Sequence, residues 1–536
     1  MLLKKLLKPK YIYIYIFLFN LGLFILSTDN YKYLLMRLDQ EIMIMTAAKM
    51  FYFDMNVFEA AWNHHTPPIF YLFRLIFHFT NFINVYEGLF VLYSALLITI
   101  NILLYKLIYK LTDSNLVSLI FSMLFIFDLS HTTVGEKLLF DNRTIGIVFQ
   151  ILLLLYSFKI IENFNKKDVI IWSLITAISV FFLESYFISL LIIYIFLIFK
   201  LGKKFFIYSQ ITFLFSTAVY SLILFSNKEL HETIQLNYVF HLFGTIRKGL
   251  PLEVYLHNGL FKETDVNSMF GLIFDYLNYH LFNGYSAVTF SSIFFTTSIL
   301  FLLLFTLSKK FQNIYETKNI LFQIFYIFFL SEIVHLFFTG PRFVNYFQIL
   351  LLFVYLVPVL TIFYLLKHFK RQNLMMFLGF LFLFFIISFN DLNEIKLYRF
   401  NNDQTMSNIT SEQQELIDYI NRNSLNSSEN PELNYIWGLD NNIEVYFRTN
   451  SLPSSRMWWW FNMYYIESSI YTFDSDKFYS NNFEKIFISD LELEKPRFVI
   501  IQKNFITEPY FLRNYIEKNY YLSGDLDGFK IFEINN

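Results

Sequence analysis

The chain has 536 residues, of which 56% are hydrophobic, 21% aromatic and only 16% charged. That balance excludes an ordinary soluble globular protein and marks an integral membrane protein. Forty-two basic against 43 acidic residues leave no global field to attract nucleic acid, and the absence of cysteine excludes disulfides, thiolate metal sites and a cysteine nucleophile.

In chain order, Lys4, Lys5, Lys8 and Lys10 precede an apolar run over 11–27 that lacks a small-x-small cleavage site, which predicts a retained first transmembrane helix rather than a removed leader. Apolar stretches long enough for helices of about 20 residues recur until residue 391. The basic clusters between them are Lys4 to Lys10, Lys106/Lys110, Lys166/Lys167, Lys200/Lys203/Lys204, Lys309/Lys310 and Lys367/Lys370/Arg371. All are cytoplasmic if positive charge stays inside. The segment "PPIFYLFRLIFHFTNFI" over 67–83 carries Arg74 and His78, and a crossing there would put every later cluster outside. It is therefore expected to lie along the outer interface as an amphipathic helix.

The expected spans are 11–27, 86–109, 115–130, 143–161, 169–187, 188–202, 205–225, 283–307, 320–338, 345–366 and 373–390. The expected fold is thus an α-helical polytopic membrane protein of about 11 transmembrane helices, with a transmembrane domain over 1–390 and an extracytoplasmic α/β domain over 391–536. Its N-terminus is cytoplasmic, its C-terminal domain extracytoplasmic, and the plasma (inner) membrane is the expected location. Outer segments are then 28–85, 131–142, 226–282 and 339–346.

The tail after 391 is polar and mixed. "NYIWGL", "VYFRTN", "RFVIIQK" and "FKIFEIN" read as short strands, and "SEQQELIDYINRN" as a helix that Ser411 caps while Gln414 reaches back.

Four motifs on the outer segments bear chemistry. "RLDQEIMIMTAAKMF" offers Asp39 and Glu41, carboxylates that are costly at a membrane boundary unless solvated or paired, though a wet loop also accounts for them. "WNHHTPPIFY" is a loop that hands over to a helix, because Pro67 and Pro68 suit a helix start. His64 and His65 then stand close to that helix's N-terminus, a natural anion site. No third ligand stands at metal-binding spacing beside them. "HTTVGEKLLFDNRT" places Glu136, Lys137, Asp141 and Arg143 near two helix ends. Lys137 and Arg143 suit interfacial snorkelling, whereas Asp141 either caps the following helix or sits beside a substrate. "TGPRFVNYFQ" puts Arg342 and Tyr346 four apart, where an arginine grips a phosphate or anchors to headgroups.

Together these motifs resemble those of the GT-C membrane glycosyltransferases, of the protein mannosyltransferase and aminoarabinose transferase type. "LDQEIMIMTAAKM" is similar to that family's acidic motif before an alanine-containing helix, and "NHHTPPIFY" to its aspartate-histidine-lysine-threonine-proline segment. "GEKLLFDNRT" and "GPRFVNYFQ" follow in the family's order. Departures are Gln40 between the two acids, Asn63 in place of an aspartate and His65 in place of a lysine.

The resemblance implies an inverting glycosyltransferase that moves a sugar from a polyprenyl-phosphate donor to a hydroxyl acceptor on the outer face. It implies Asp39 as the base, with Glu41 in the same motif, and Asp141 positioning acceptor or base. His64, His65, Lys137, Arg143 and Arg342 would neutralise the leaving phosphate, and Tyr346 would hydrogen-bond it. Lipid, glycan and protein acceptors stay open, as does a divalent metal; no cofactor is assigned. The alternatives are an oligosaccharide ligase or polymerase, and a transporter or flippase for a lipid-linked sugar. The signature of the latter would be intramembrane charges and paired broken helices near the midplane, whereas here polar residues gather at the outer face and interior acids such as Glu184 and Glu332 are few.

Overall fold

The computed structural model describes residues 9–27, 38–61, 67–80, 84–131, 142–183, 186–230, 233–234, 316–339, 352–353, 356–357, 359–360, 363, 410–423, 435–438, 443–455, 483–503 and 510–535. The helices before the tail are α1 (Pro9–Ser27), α2 (Leu38–Tyr52), α3 (Val57–Ala60), α4 (Pro67–Ile76), α5 (Val85–Thr112), α6 (Asn115–His131), α7 (Asn142–Glu162), α8 (Lys166–Phe182), α9 (Tyr186–Leu201), α10 (Lys203–Ser226) and α11 (Glu316–Thr339). The tail holds α12 (Ser411–Asn423), β1 (Tyr435–Trp437), α13 (Ile443–Arg448), β2 (Leu452–Pro453), α14 (Phe483–Glu494), β3 (Phe498–Gln502), α15 (Tyr510–Asn519), β4 (Tyr520–Asp525) and β5 (Phe529–Ile534).

The chain divides into two compact units. One comprises Met1–Asn30, Val91–Leu222 and His241–Asn401; the other comprises Tyr31–Phe90, Ile223–Phe240 and Asn402–Asn536. The expected boundary at residues 390 and 391 lies outside the described residues.

Helices stand at eight of the expected spans, as α1 and α5 to α11. The described residues of the expected span 345–366, namely 352–353, 356–357, 359–360 and 363, are helical, and the expected spans at 283–307 and 373–390 lie outside the described residues. Among the described residues, three stretches are long and apolar enough to cross a bilayer: Glu87–Thr112, Thr144–Glu162 and Lys203–Ser226. On α10, Ile211, Leu214, Phe215, Leu222 and Phe225 are all exposed. Its hydroxyls bond inward to their own helix, Ser209 Oγ to the carbonyl of Phe205 and Thr212 Oγ1 to that of Tyr208, which leaves an apolar outer surface suited to lipid. The hairpin turns follow local chemistry. Asp113, between α5 and α6, and Gly202, between α9 and α10, both take positive φ, 56° and 71°, and Asn165 caps α8 by accepting from the Lys167 N–H.

Within the first unit α7 packs on α8, and α11 on both α7 and α9. Small and hydroxylated residues permit the close approach. Trp172 is fully buried and donates its Nε1–H to Ser157 Oγ at 2.9 Å. A Cβ on Gly146 would come within 2.5 Å of the Tyr186 hydroxyl.

In the second unit α4 ends at Ile76, short of the expected 83, because Phe77, His78 and Phe79 donate to carbonyls three residues back and Thr80 Oγ1 bonds the Ile76 carbonyl. Ten residues make a helix of about 15 Å, half of the roughly 30 Å hydrocarbon core. It is too short to cross. Its buried side is Pro67, Ile69, Phe70, Phe73 and Ile76, and it packs against α2, with Phe51 and Phe77 stacked at 5.8 Å between ring centroids.

The tail forms a five-stranded mixed sheet in the order β2-β1-β3-β5-β4, with β1 parallel to β2 and β3, and β5 antiparallel to β3 and β4. Central β3 buries Phe498, Val499 and Ile500 in succession, as a strand covered on both faces does. Gly438 ends β1 at φ 108°, and a Cβ there would lie 1.8 Å from the Ile500 carbonyl oxygen; only glycine fits.

Two expectations for the tail are corrected. "VYFRTN" is not a strand: Val445–Arg448 close α13 and Thr449 and Asn450 form the turn after it, and Val445, Tyr446 and Thr449 are all buried, a spacing that shares one helix face but splits across a strand. The capping box lies one residue earlier than expected. Thr410 Oγ1 accepts from the Gln413 N–H at 3.2 Å and Gln413 Oε1 accepts from the Thr410 N–H at 2.8 Å, while Gln414 instead bonds Asp418.

Candidate functional site

Asp39 and Glu41 are the second and fourth residues of α2, so the acidic motif forms the first turn of a helix, where its dipole favours negative charge. Arg143 is the second residue of α7, two positions after Asp141 in sequence. The side chains of these three helix residues lie outside the described set, as do His64, His65, Lys137, Asp141, Arg342 and Tyr346 altogether. Glu136 and Glu184 lie outside it too.

The described surroundings of the first two motifs are nonetheless built tightly. The polypeptide leaves α2 through Asp54, at φ 53°, and Asn56 caps α3 by accepting from the N–H groups of Phe58 and Glu59, with Glu59 reciprocating. Arg74, the charge that made a crossing by this segment awkward, pairs with Asp54 at 2.9 Å on the surface. His78 is exposed and meets the edge of Phe51.

Next to the histidine-bearing segment 62–66 the backbone is pinned from a distant part of the sequence. Glu229 is fully buried. Its Oε1 accepts from the Val57 N–H and from the Tyr71 hydroxyl, both at 2.9 Å, and the Tyr71 hydroxyl also accepts from Asn227 Nδ2 at 3.0 Å. Burial, and then the Glu229 charge, push the Tyr71 hydroxyl above its ordinary pKa, so it stays protonated and donating. Val57 and Tyr71 flank residues 62–66, and both are tied to the segment that follows α10.

A second cluster joins α2 to the tail. Lys49 is fully buried, and its Nζ donates to both carboxylate oxygens of Glu494, at 3.1 and 3.2 Å, and to the Ser455 carbonyl at 3.3 Å. Glu494 Oε2 in turn accepts from the Ser455 N–H at 2.7 Å, and Ser455 Oγ bonds Asp490 Oδ2 at 3.2 Å. Burial raises the Glu494 carboxyl above the usual carboxylate range, and the Lys49 ammonium and the Ser455 N–H oppose that rise. Ser455 holds φ at 67°, a left-handed conformation that costs a serine about 1 kcal/mol and that the surrounding bonds maintain.

The first unit holds a described buried carboxyl of its own. Glu332 of α11 is buried, and its Oε1 accepts from Gln150 Nε2 of α7 at 2.8 Å and from Ser189 Oγ of α9 at 3.1 Å. It ties three helices together. Among the described residues no group of three or more His, Asp or Glu stands close enough to hold a metal ion.

Reading by sequence marked Glu332 but passed over Lys49, Glu494, Glu229 and Tyr71. Lys49, in the last turn of α2, carries only the ordinary signal of a base complementing a helix dipole. The one available hint was its position after a run of apolar residues, where an ammonium needs a partner. No protein-family model matches the chain, and no curated protein matches it.

Proposed function

We propose that the chain is an inverting glycosyltransferase that moves a sugar from a polyprenyl-phosphate donor to a hydroxyl acceptor at the non-cytoplasmic surface of the membrane, with a GT-C-like transmembrane part. The observation that supports this best is the placement of the acidic motif. Asp39 and Glu41 open a helix that is packed, through its other end, into one compact unit with the interface-length helix α4 and the α/β tail. That unit gathers polar segments from three parts of the sequence, and among the described residues Glu87–Thr112, Thr144–Glu162 and Lys203–Ser226 are apolar and long enough to cross the bilayer in which an isoprenoid tail would sit.

In this reading Asp39 takes the proton from the acceptor hydroxyl, which is a poor nucleophile without a positioned base. The hydroxyl oxygen attacks C1 of the sugar, the C1–O bond to the phosphate breaks, and the polyprenyl phosphate leaves with the bonding pair. Cations must stand where that charge develops. His65, Arg342 and Lys137 or Arg143 have that task, with His64 at the approach to the N-terminus of α4. Asp141 positions acceptor or base, Glu41 supports the acidic turn, and Tyr346 hydrogen-bonds the phosphate. The acceptor is a lipid, a glycan or a protein.

Asp39→Asn in the full chain, inserted and folded as the parent, is expected to lower sugar transfer from a polyprenyl-phosphate donor by at least 100-fold, the order associated with loss of a general base. Transfer at the parental rate would remove Asp39 from the role.

One observation favours the transporter reading: Glu332 is a buried carboxyl hydrogen-bonded among three apolar helices. Glu332→Gln separates the two. It leaves transfer intact in a glycosyltransferase, whereas in a carboxyl-dependent transporter it stops movement of a labelled lipid-linked sugar between leaflets.

A further inference from the structure

α2 is a rod with its acids at one end and Lys49 near the other. Residues 43 to 50 are buried all round, and three of them, Met43, Met45 and Met50, are methionines. Methionine repacks at little cost, so a methionine-rich surface defines the axial position and rotation of a helix poorly. The buried ammonium does the opposite. It must find several oxygen partners at fixed distances, and all three that it finds belong to the tail: both oxygens of Glu494 and the carbonyl of Ser455. β2 and α13 of the tail also pack against α2. Sliding α2 by one residue, about 1.5 Å with a turn of about 100°, would break every one of these bonds.

We propose that Lys49 and Glu494 are positioning residues that set where the acidic first turn of α2 stands, which makes the tail part of the transfer machinery rather than an appendage. The role assigned to the first turn rests on the proposal that Asp39 is the base. Ten residues separate Asp39 from Lys49, a lever of about 15 Å. A tilt of about 10° around Lys49 displaces the first turn by about 2.5 Å over that lever, and a misplacement of about 1 Å is enough to cost on the order of 100-fold in rate. A pair placed here holds the base without touching the substrate.

The absence of cysteine allows a single probe. Gln40→Cys in the full chain, carrying a trifluoromethyl label in lipid nanodiscs, reports on the first turn by fluorine NMR. Lys49→Met is expected to displace or split the resonance, and Glu494→Gln, which keeps an acceptor for Ser455 and folds more readily, to move it less and in the same direction. The double variant K49M/E494Q removes both charges; it is expected to regain stability while the resonance stays displaced. A resonance unmoved in Lys49→Met and Glu494→Gln overturns the proposal, and so does one that returns to its parental position as stability returns in the double variant, since the pair would then only stabilise. Undecaprenyl phosphate added to the parent tests the donor separately: it is expected to shift the same resonance, at a concentration at least ten-fold lower than in Lys49→Met. A parent that ignores undecaprenyl phosphate while its label still responds to Lys49→Met defeats the donor reading and leaves the positioning intact.

Discussion

Lys49 and Glu494 stand 445 positions apart in the sequence and meet at 3.1 Å with their side chains 0% and 5% exposed. Removing one partner of such a buried pair leaves a charge without water or counter-charge, at a cost of about 3–5 kcal/mol. Lys49→Met is therefore expected to destabilise the second unit by about that amount, and Glu494→Gln by less, read from thermal unfolding of the tail.

The pH dependence has a defined sign. Because burial holds the folded-state pKa of Glu494 above its unfolded value, its contribution to stability is complete below the unfolded pKa, near 4.3 for a model glutamate, and is lost as pH rises through the folded pKa. Lys49→Met removes the cation that opposes the rise, so the variant should lose more stability between mild acid and neutral pH than the parent. Unfolding temperatures measured across that range check this; parallel curves for the two proteins would count against it.

Tyr71→Phe deletes one of the bonds to buried Glu229 and the acceptor of Asn227. A cost of about 1–3 kcal/mol follows from leaving buried polar groups unpaired. The loss should be local, seen as faster amide exchange at Val57 and through α4, while amides of β3 and β5 keep their protection.

Gly438→Ala places a methyl against the Ile500 carbonyl at a positive φ. β1 and β3 must separate, with a loss of about 3 kcal/mol or more, in the upper part of the range for single substitutions. Amide exchange should rise at Trp437 and Val499, which are paired across the two strands; exchange at parental rates would show that the strands accommodate the methyl.

The helical and membrane character of the chain was legible in its sequence because long apolar runs and their polar breaks are local properties, and eight expected spans coincide with helices. Strands at "RFVIIQK" and "FKIFEIN" were legible for the same reason. "VYFRTN" misled because β-branched and aromatic residues suit a strand until packing decides which positions are buried, and here Val445, Tyr446 and Thr449 are. The capping box slipped by one residue because Thr410–Gln413 and Ser411–Gln414 present the same chemistry, and only backbone geometry chooses between them.

By itself, then, the sequence determined a mostly helical chain with apolar stretches long enough to cross a bilayer, an acidic helix start before a short proline-led helix and a mixed α/β tail. Tertiary structure alone decided that Lys49 belongs to Glu494, that Glu229 holds Val57 and Tyr71, and that the segment Tyr31–Phe90 and the tail share one compact unit. The physical reason is range. Periodicity and capping act within a few residues, whereas a buried charge is answered by whatever the fold brings within about 3 Å, and nothing in the neighbouring sequence records that partner.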